Sequence, residues 1–130
     1  MSNNSNNISY STHSYNIQNL TQTNLSTLNS IFSNHINYLL NFYKSHKIKK
    51  LDLQTSYQIT STLLQSSDLD LIKLLSLLTY LQFNNITNST NLTSLISQLQ
   101  FTSNLELILI DTMNEHGEII EINYYFKTLD

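Results

Sequence analysis

This 130-residue chain contains four histidines, whose side chains could bind a metal or transfer protons. His13, His35, His46 and His116 are far apart, and none has cysteine or acidic companions at metal-ligand spacing. The chain contains no cysteine, so it has no thiolate ligand, thiol nucleophile or disulfide. The sequence therefore predicts no metal and no cofactor.

Residues for nucleophilic or phosphate chemistry follow no known pattern. The chain shows no Ser/His/Asp order and no paired carboxylates on a recognisable scaffold. Gly117 is its single glycine, which excludes a glycine-rich loop around a phosphate. We expect that this chain is not an enzyme by itself.

A lysine cluster in "YKSHKIKKLDL" could contact RNA. Lys44, Lys47, Lys49 and Lys50 are four of the six lysines, and Tyr43 lies beside them. Lysines bind nucleic-acid phosphates without reading sequence, so Lys47, Lys49 and Lys50 are candidate RNA contacts. The alternative is a solvated helix end and strand edge, where lysine discourages edge pairing. We favour this second interpretation.

Charge and hydropathy limit the remaining classes. The net charge is −3 and 12% of residues are charged, so no broad field attracts nucleic acid or an anionic membrane. A secretory signal would require a charged segment followed by an apolar run at the start of the chain, and the sequence shows no such pattern there. The apolar run over 69–83 is shorter than the ~20 residues of a membrane span. We expect an intracellular protein without membrane insertion.

The first half of the chain predicts a tail, a helix and strands. Residues 1–22 are rich in Asn and Ser and predict a disordered tail before a single α/β domain over 23–130. Apolar residues from Leu25 to Tyr43 recur every three or four positions, which predicts one helix, capped by Thr23 or Asn24. The alternation in "IKKLDLQTSYQIT" predicts one or two short strands.

The leucine-rich middle is ambiguous. Residues 69–83 fit either a helix capped by Ser67 or Asp68 or a buried strand, because the run is almost continuously apolar. The stretch "NNITNST" predicts a loop, and "NLTSLISQLQF" predicts a short helix.

The end of the chain predicts a β-hairpin. Alternating apolar residues from Leu105 to Ile110 and from Ile119 to Phe126 give two strands around "NEHGE", where a tight turn needs a residue with positive φ that Gly117 supplies. The acids in or beside this turn are either solubilising, which the sequence favours, or a negatively charged finger that docks in a basic pocket: Asp111, Glu115, Glu118 and Glu121.

The hairpin carries a resemblance. An apolar strand, the acidic turn "DTMNEHGE" and an Ile/Tyr-rich strand ending in "YYF" resemble the C-terminal hairpin of the small structural subunit of the eukaryotic, yeast-like tRNA-splicing endonuclease. "INYLLNFYKSHKIKKLDL" and "NLTSLISQLQF" fit the element order of that family. The resemblance covers 105–126 and, more loosely, 36–53 and 91–101, whereas a helix within 57–83 would not match the strands expected there.

The resemblance implies a fold and a role. The fold would be α/β (α+β), a small mixed sheet with flanking helices that ends in a C-terminal β-hairpin. The chain would be a non-catalytic subunit of a heterotetramer with catalytic and structural subunits, touching precursor tRNA indirectly, in the nucleus or on the cytoplasmic face of the mitochondrial outer membrane. The implied partner contacts lie in the hairpin: Leu109, Ile122, Tyr124, Phe126, Asp111, Glu115 and Glu118.

Two other functions remain open from the residues. The chain could be a small adaptor or scaffold subunit of another complex, which a helical 68–83 would favour. It could also be a self-sufficient RNA-binding protein that uses the lysine cluster.

Overall fold

The computed structural model describes residues 7–86 and 91–129, and their contacts form two compact units. One unit, called the sheet unit below, joins the chain up to Gln18 with the chain from Thr102 onward. The other, the helical unit, spans Asn19–Phe101. The sequence predicts one domain over 23–130, whereas the contacts separate its helices from its hairpin.

Three strands and five α-helices follow one another along the described residues. Their bounds are β1 Ser9–Asn16, a 3-10 turn Ile17–Asn19, α1 Gln22–Ile31, α2 Ser33–Ser45, α3 Leu53–Leu64, α4 Leu69–Phe83, α5 Leu92–Gln98, β2 Leu105–Met113 and β3 Ile119–Thr128. The predicted α+β class and the terminal hairpin are confirmed. Among the described residues, no helix is both long and apolar enough to cross a membrane.

The predicted tail is partly structured. Residues 9–16 form β1, and Thr21 starts α1 through a reciprocal pair of hydrogen bonds with Asn24, so the prediction of disorder is wrong from Ser9 onward. Of the remaining residues of that prediction, 1–8, residues 1–6 lie outside the described residues. Thr21, rather than Thr23 or Asn24, is the cap.

The single long helix predicted from Leu25 to Tyr43 is two helices. The chain leaves helical geometry at Phe32, which closes α1 and precedes α2. The apolar stripe continues across this break, because Leu28, Phe32 and Ile36 are all buried. Periodicity alone therefore could not reveal the interruption.

The predicted strands at 48–60 are also wrong. Leu53–Leu64 is α3, and the Asp52 carboxylate begins it by accepting a hydrogen bond from the Thr55 amide at 2.7 Å. Hydrogen bonds from the Thr55 amide and then from the Thr55 side chain hold the pKa of Asp52 below its usual value. The buried face of α3 uses Ser56 and Thr60, whose polarity hides the helical period.

Helix α4 resolves the ambiguous leucine run and forms the centre of the helical unit. It contacts α1, α2 and α3, which explains why leucine occupies nearly every side of it. Leu74, Leu75, Leu77 and Leu78 are fully buried. The predicted short helix within 91–101 is confirmed as α5, and the predicted loop at 84–90 falls partly on 87–90, which lie outside the described residues.

A buried hydroxyl chain joins α2, α3 and α4. Ser56 Oγ donates to the Ser76 carbonyl at 2.9 Å, so the Tyr43 hydroxyl, 3.3 Å from Ser56 Oγ, must donate to that oxygen. The Tyr43 ring also meets Phe83 edge-on, with centroids 5.3 Å apart. Burial raises the pKa of Tyr43 above its ordinary value, although the hydrogen bond with Ser56 opposes the shift.

Stability should therefore fall at alkaline pH. Because the folded-state pKa of Tyr43 is raised, its contribution to the free energy of unfolding is complete below the unfolded-state pKa of about 10 and is lost as pH rises through the folded-state pKa. Urea unfolding between pH 8 and 11 measures this slope. Tyr43→Phe should flatten the slope and cost about 1 kcal/mol at pH 8 through the lost hydrogen bond.

The control for Tyr43 is Tyr38→Phe in the same helix, since Tyr38 is 52% exposed. That variant should keep the alkaline slope of the unaltered chain. Equal slopes in the unaltered chain and Tyr43→Phe would contradict the prediction.

The sheet unit is a three-stranded sheet in the order β1-β2-β3, with both pairs antiparallel. The sheet predicted as mixed is thus antiparallel throughout its described strands. β2 is central and carries the buried residues Leu105, Leu107 and Leu109, while β1 and β3 are edges. The order of strands places the most polar strand, β1, and the most exposed apolar strand, β3, on opposite sides of β2.

Candidate functional site

The exposed apolar strand β3 is the feature of this fold that most needs a partner. Nine of its ten residues are exposed, and five of them are large and apolar: Ile119, Ile120, Ile122, Tyr124 and Tyr125. Exposed apolar groups in one contiguous strand mark an interaction surface, whereas scattered ones do not. Glu121 and Lys127 are its charged residues.

The turn before β3 is built as the sequence predicts. Gly117 has a φ of +77° and its amide donates to the Asn114 carbonyl at 3.0 Å, while the Asn114 amide donates to the Glu118 carbonyl at 3.0 Å. This is a three-residue hairpin loop with its last residue in the left-handed region. Asn114 Oδ1 also accepts from the amides of His116 and Glu118, which fixes the loop.

The main-chain groups of β3 alternate between β2 and the outer edge. The Leu129 amide donates to the Asn104 carbonyl at 3.0 Å, so the main chain of Leu129 points toward β2. Since direction alternates along a strand, Lys127, Tyr125 and Asn123 also point toward β2. The main-chain groups of the alternate positions point the other way, to the side where the described residues contain no further strand. These outward positions are 122, 124, 126 and 128.

A bulge separates this regular edge from the turn. Thr112 pairs with Glu121 and Met113 with Ile119, so Ile120 is the extra residue. Bulges disturb edge pairing locally. The regular part of the β3 edge therefore runs from Glu121 to the end of the strand.

The predicted apolar contacts divide between the interior and the edge. Ile122, Tyr124 and Phe126 lie on β3 and share a sheet face, and Ile122 and Tyr124 are exposed while Phe126 is half-buried. The rings of Tyr124 and Phe126 meet edge-on, with centroids 6.3 Å apart. Leu109, opposite Tyr124, is 1% exposed, so a change at Leu109 tests folding of the hairpin rather than a surface contact.

The predicted acids also occupy two environments. Glu115 and Glu118 are exposed at the turn, where Glu118 Oε1 accepts from the Asn114 side chain at 3.0 Å and Glu115 Oε1 lies 3.6 Å from His116 Nε2. Asp111 lies within β2, not in the turn, and its Oδ2 is 3.1 Å from His13 Nε2. The turn therefore presents Glu115 and Glu118 outward, and Asp111 faces β1.

The pairing of His13 with Asp111 was not predicted, because it depends on β1. Ser11 Oγ lies 3.4 Å from the same His13 nitrogen. A catalytic Ser/His/Asp set needs the acid on one ring nitrogen and the serine on the other. Here both groups approach Nε2, so this arrangement does not activate Ser11.

The lysine cluster belongs to the helical unit. Lys47, Lys49 and Lys50 are exposed after α2, and Lys47 has a φ of 55°. Tyr43, expected beside them, is fully buried and so is not available to stack on a base. The lysines offer phosphate contacts without the aromatic platform that single-stranded RNA binders use.

Neither a metal site nor a catalytic pocket stands out in the described residues. Within those ranges, no group of three His, Asp or Glu side chains lies close enough together to hold a metal ion. A cavity of about 700 Å³ in the helical unit is bordered by leucine and amide side chains such as Leu25, Asn29 and Gln82, and by Tyr80. Among the described residues that line it, none carries a carboxylate, imidazole or amine.

Comparison with the known protein families, with curated proteins and with solved structures finds no match to this chain.

Proposed function

We propose that this chain is a non-catalytic subunit that assembles with another protein through strand β3. The observation that carries the proposal is the position of the apolar strand: it lies at the edge of the sheet, with Ile122 42% and Tyr125 48% exposed. An exposed edge of this kind is a template for pairing with a strand of another chain, and binding through such an edge is a recurring mode of protein recognition.

The chemistry of the edge supports recognition through the main chain. Strand addition uses the outward main-chain groups for affinity and alternate side chains for specificity. On β3 the outward positions include Ile122 and Phe126, so an added strand would hydrogen-bond to the same residues whose side chains form the apolar face. Glu115 and Glu118 lie at the adjacent turn and are available to a basic surface of a partner.

The specific complex is a finer proposal. The resemblance over 105–126 supports the small structural subunit of the tRNA-splicing endonuclease, with catalytic and structural subunits as partners and precursor tRNA touched indirectly. α3 and α4 occupy 53–64 and 69–83, where that family has strands. This observation favours the alternative, a small adaptor or scaffold subunit of another multiprotein complex, over the endonuclease.

An edge-blocking variant tests the proposed function. Proline at an outward edge position removes a donor from the outer edge without removing a hydrogen bond to β2. Ile122→Pro in the tagged chain, expressed in its own cells, should reduce stoichiometric co-purifying proteins by roughly ten-fold or more, equivalent to about 1.4 kcal/mol or more of binding free energy. Mass spectrometry identifies these proteins.

The matched control is Thr12→Pro, which places proline at an outward position of the other edge strand, β1. It should leave co-purification intact. Recovery of the endonuclease subunits with the unaltered chain would support the finer proposal, and another stoichiometric set would support the adaptor. If Ile122→Pro recovers the same proteins in the same amounts, β3 is not the interface.

A further inference from the structure

We infer that the surface lying against the β3 edge is the β3 strand of a second copy of this chain, paired antiparallel about a two-fold axis at Tyr124. The inference rests on the part of the proposed function that makes β3 the interface, and it places a second copy of this chain, instead of a strand of a different protein, at that edge. Two sheets of three strands would join into one sheet of six.

The sequence of β3 is self-complementary about position 124. In antiparallel pairing centred there, Glu121 lies opposite Lys127 of the second copy, Ile122 opposite Phe126, and Asn123 opposite Tyr125. The two-fold axis repeats each pair. The segment 121–127 thus meets a second copy with two opposite-charge pairs at its ends and apolar or aromatic pairs between them, the kinds of cross-strand pair that stabilise sheets.

The charges select one register among several. Moving the axis by one or two residues in either direction separates Glu121 from Lys127 of the second copy and leaves neither side chain opposite a charge of the other sign. Lys127 has no ion pair among the described residues, and Glu121 accepts a hydrogen bond from the Asn123 side chain at 2.9 Å, which holds its carboxylate beside the strand. Both groups are exposed and accessible to a second copy.

The main-chain direction agrees with the same register. Direct pairing requires that both partners point their amides and carbonyls outward, and the outward set on β3 is 122, 124, 126 and 128. An axis at 124 pairs 122 with 126 and 126 with 122, so outward positions meet outward positions and form about six main-chain hydrogen bonds. The bulge at Ile120 ends the regular edge just beyond this segment.

Pairing of this kind is closed. An isologous contact uses the same strand on both copies, so it consumes both β3 edges and stops at a dimer. It would also pair the main-chain groups of the regular β3 edge, whose exposure makes an unpaired edge prone to aggregation. The polar β1 edge remains outside the contact.

A charge-swap experiment on the full chain tests the inference. The unaltered chain should sediment as a dimer at micromolar concentrations. Glu121→Lys alone and Lys127→Glu alone each place like charges opposite one another twice, so each should raise the dimer dissociation constant by roughly ten-fold or more. Analytical ultracentrifugation measures all three proteins, and circular dichroism checks that they remain folded.

Mixing the two single variants is the decisive measurement. In a mixed dimer, the lysine introduced at position 121 lies opposite the acid introduced at position 127, and Lys127 of the first chain lies opposite Glu121 of the second. The mixture should therefore dimerise more tightly than either variant alone. The control Lys49→Glu makes the same change of charge as Lys127→Glu at an exposed position outside β3 and should dimerise normally.

Three results would overturn the inference: a monomeric unaltered chain at micromolar concentrations, single variants as dimeric as the unaltered chain, or a mixture no tighter than its components. These outcomes are separate from failure of the proposed function. If the unaltered chain is a monomer that still co-purifies with other proteins, and Ile122→Pro loses those proteins, the second copy is excluded and the proposed subunit role stands. If the chain is a charge-dependent dimer that recovers no other protein, the second copy stands and the subunit role is excluded.

Discussion

Replacing Leu75 with alanine is expected to lower the free energy of unfolding of the helical unit by about 2–5 kcal/mol. Leu75 is fully buried in α4, the helix that contacts α1, α2 and α3. Truncation removes its apolar contacts and leaves a cavity that helices packed on several sides cannot easily close. Urea unfolding followed by circular dichroism at 222 nm, which reports on helix, measures the loss.

The control for Leu75 uses the same substitution in the same helix. Leu69 is 56% exposed at the start of α4, so Leu69→Ala should change the free energy of unfolding by about 0.5 kcal/mol or less. Comparison of the two separates burial from helix propensity, because leucine and alanine are both good helix formers. Equal losses in the two variants would show that α4 is not the centre of the core.

The hairpin was predictable because its two signals are local. Apolar alternation in β2 and β3 has a period of two, and Gly117 marks a turn that needs positive φ. What the alternation could not show is which strand lies at an edge. That depends on β1, whose sequence "SYSTHSYN" contains no apolar alternation and is recognisable as a strand only through its pairing with β2.

The helices were harder to predict because this composition obscures their usual boundaries. Helix ends normally carry glycine in the left-handed conformation, but here Lys47, Gln65, Asn85 and Gln100 adopt positive φ at the ends of α2, α3, α4 and α5. After α2, the Lys47 and Ile48 amides donate back to the Lys44 and Tyr43 carbonyls, the pattern that glycine usually permits. With one glycine in the chain, those ends carried no sequence signal.

Only part of the candidate site follows from local sequence patterns. Alternation predicts that Ile122, Tyr124 and Phe126 share one face of a strand, whereas their role as partner contacts is implied by the resemblance alone. All three lie on the edge strand, while Leu109 alternates equally well but is buried in the central strand. Sequence spacing tells which side chains share a face, whereas exposure depends on strand order. Strand order is a long-range property of the fold, and so is the pairing of Asp111 with His13.

Ser56→Leu is expected to destabilise the helical unit by about 3 kcal/mol, for a reason opposite to that at Leu75. Ser56 is fully buried where α3 meets α4, and its hydroxyl reaches the Ser76 carbonyl at 2.9 Å, so the helices approach closely at a small side chain. Leucine would force them apart, at a cost of about 1–3 kcal/mol. It would also remove the acceptor for the buried Tyr43 hydroxyl, adding about 1 kcal/mol.

Two further variants separate these causes. Ser56→Ala removes the hydrogen bonds without adding volume, so it should cost only about 1 kcal/mol. Thr62→Leu adds a leucine to an exposed position of the same helix and should be within about 0.5 kcal/mol of the unaltered chain. If Ser56→Leu is no less stable than Ser56→Ala in urea unfolding, α3 and α4 do not meet at Ser56. A larger loss in Ser56→Leu means that a small polar residue, which no hydrophobic pattern identifies, sets the distance between the two helices.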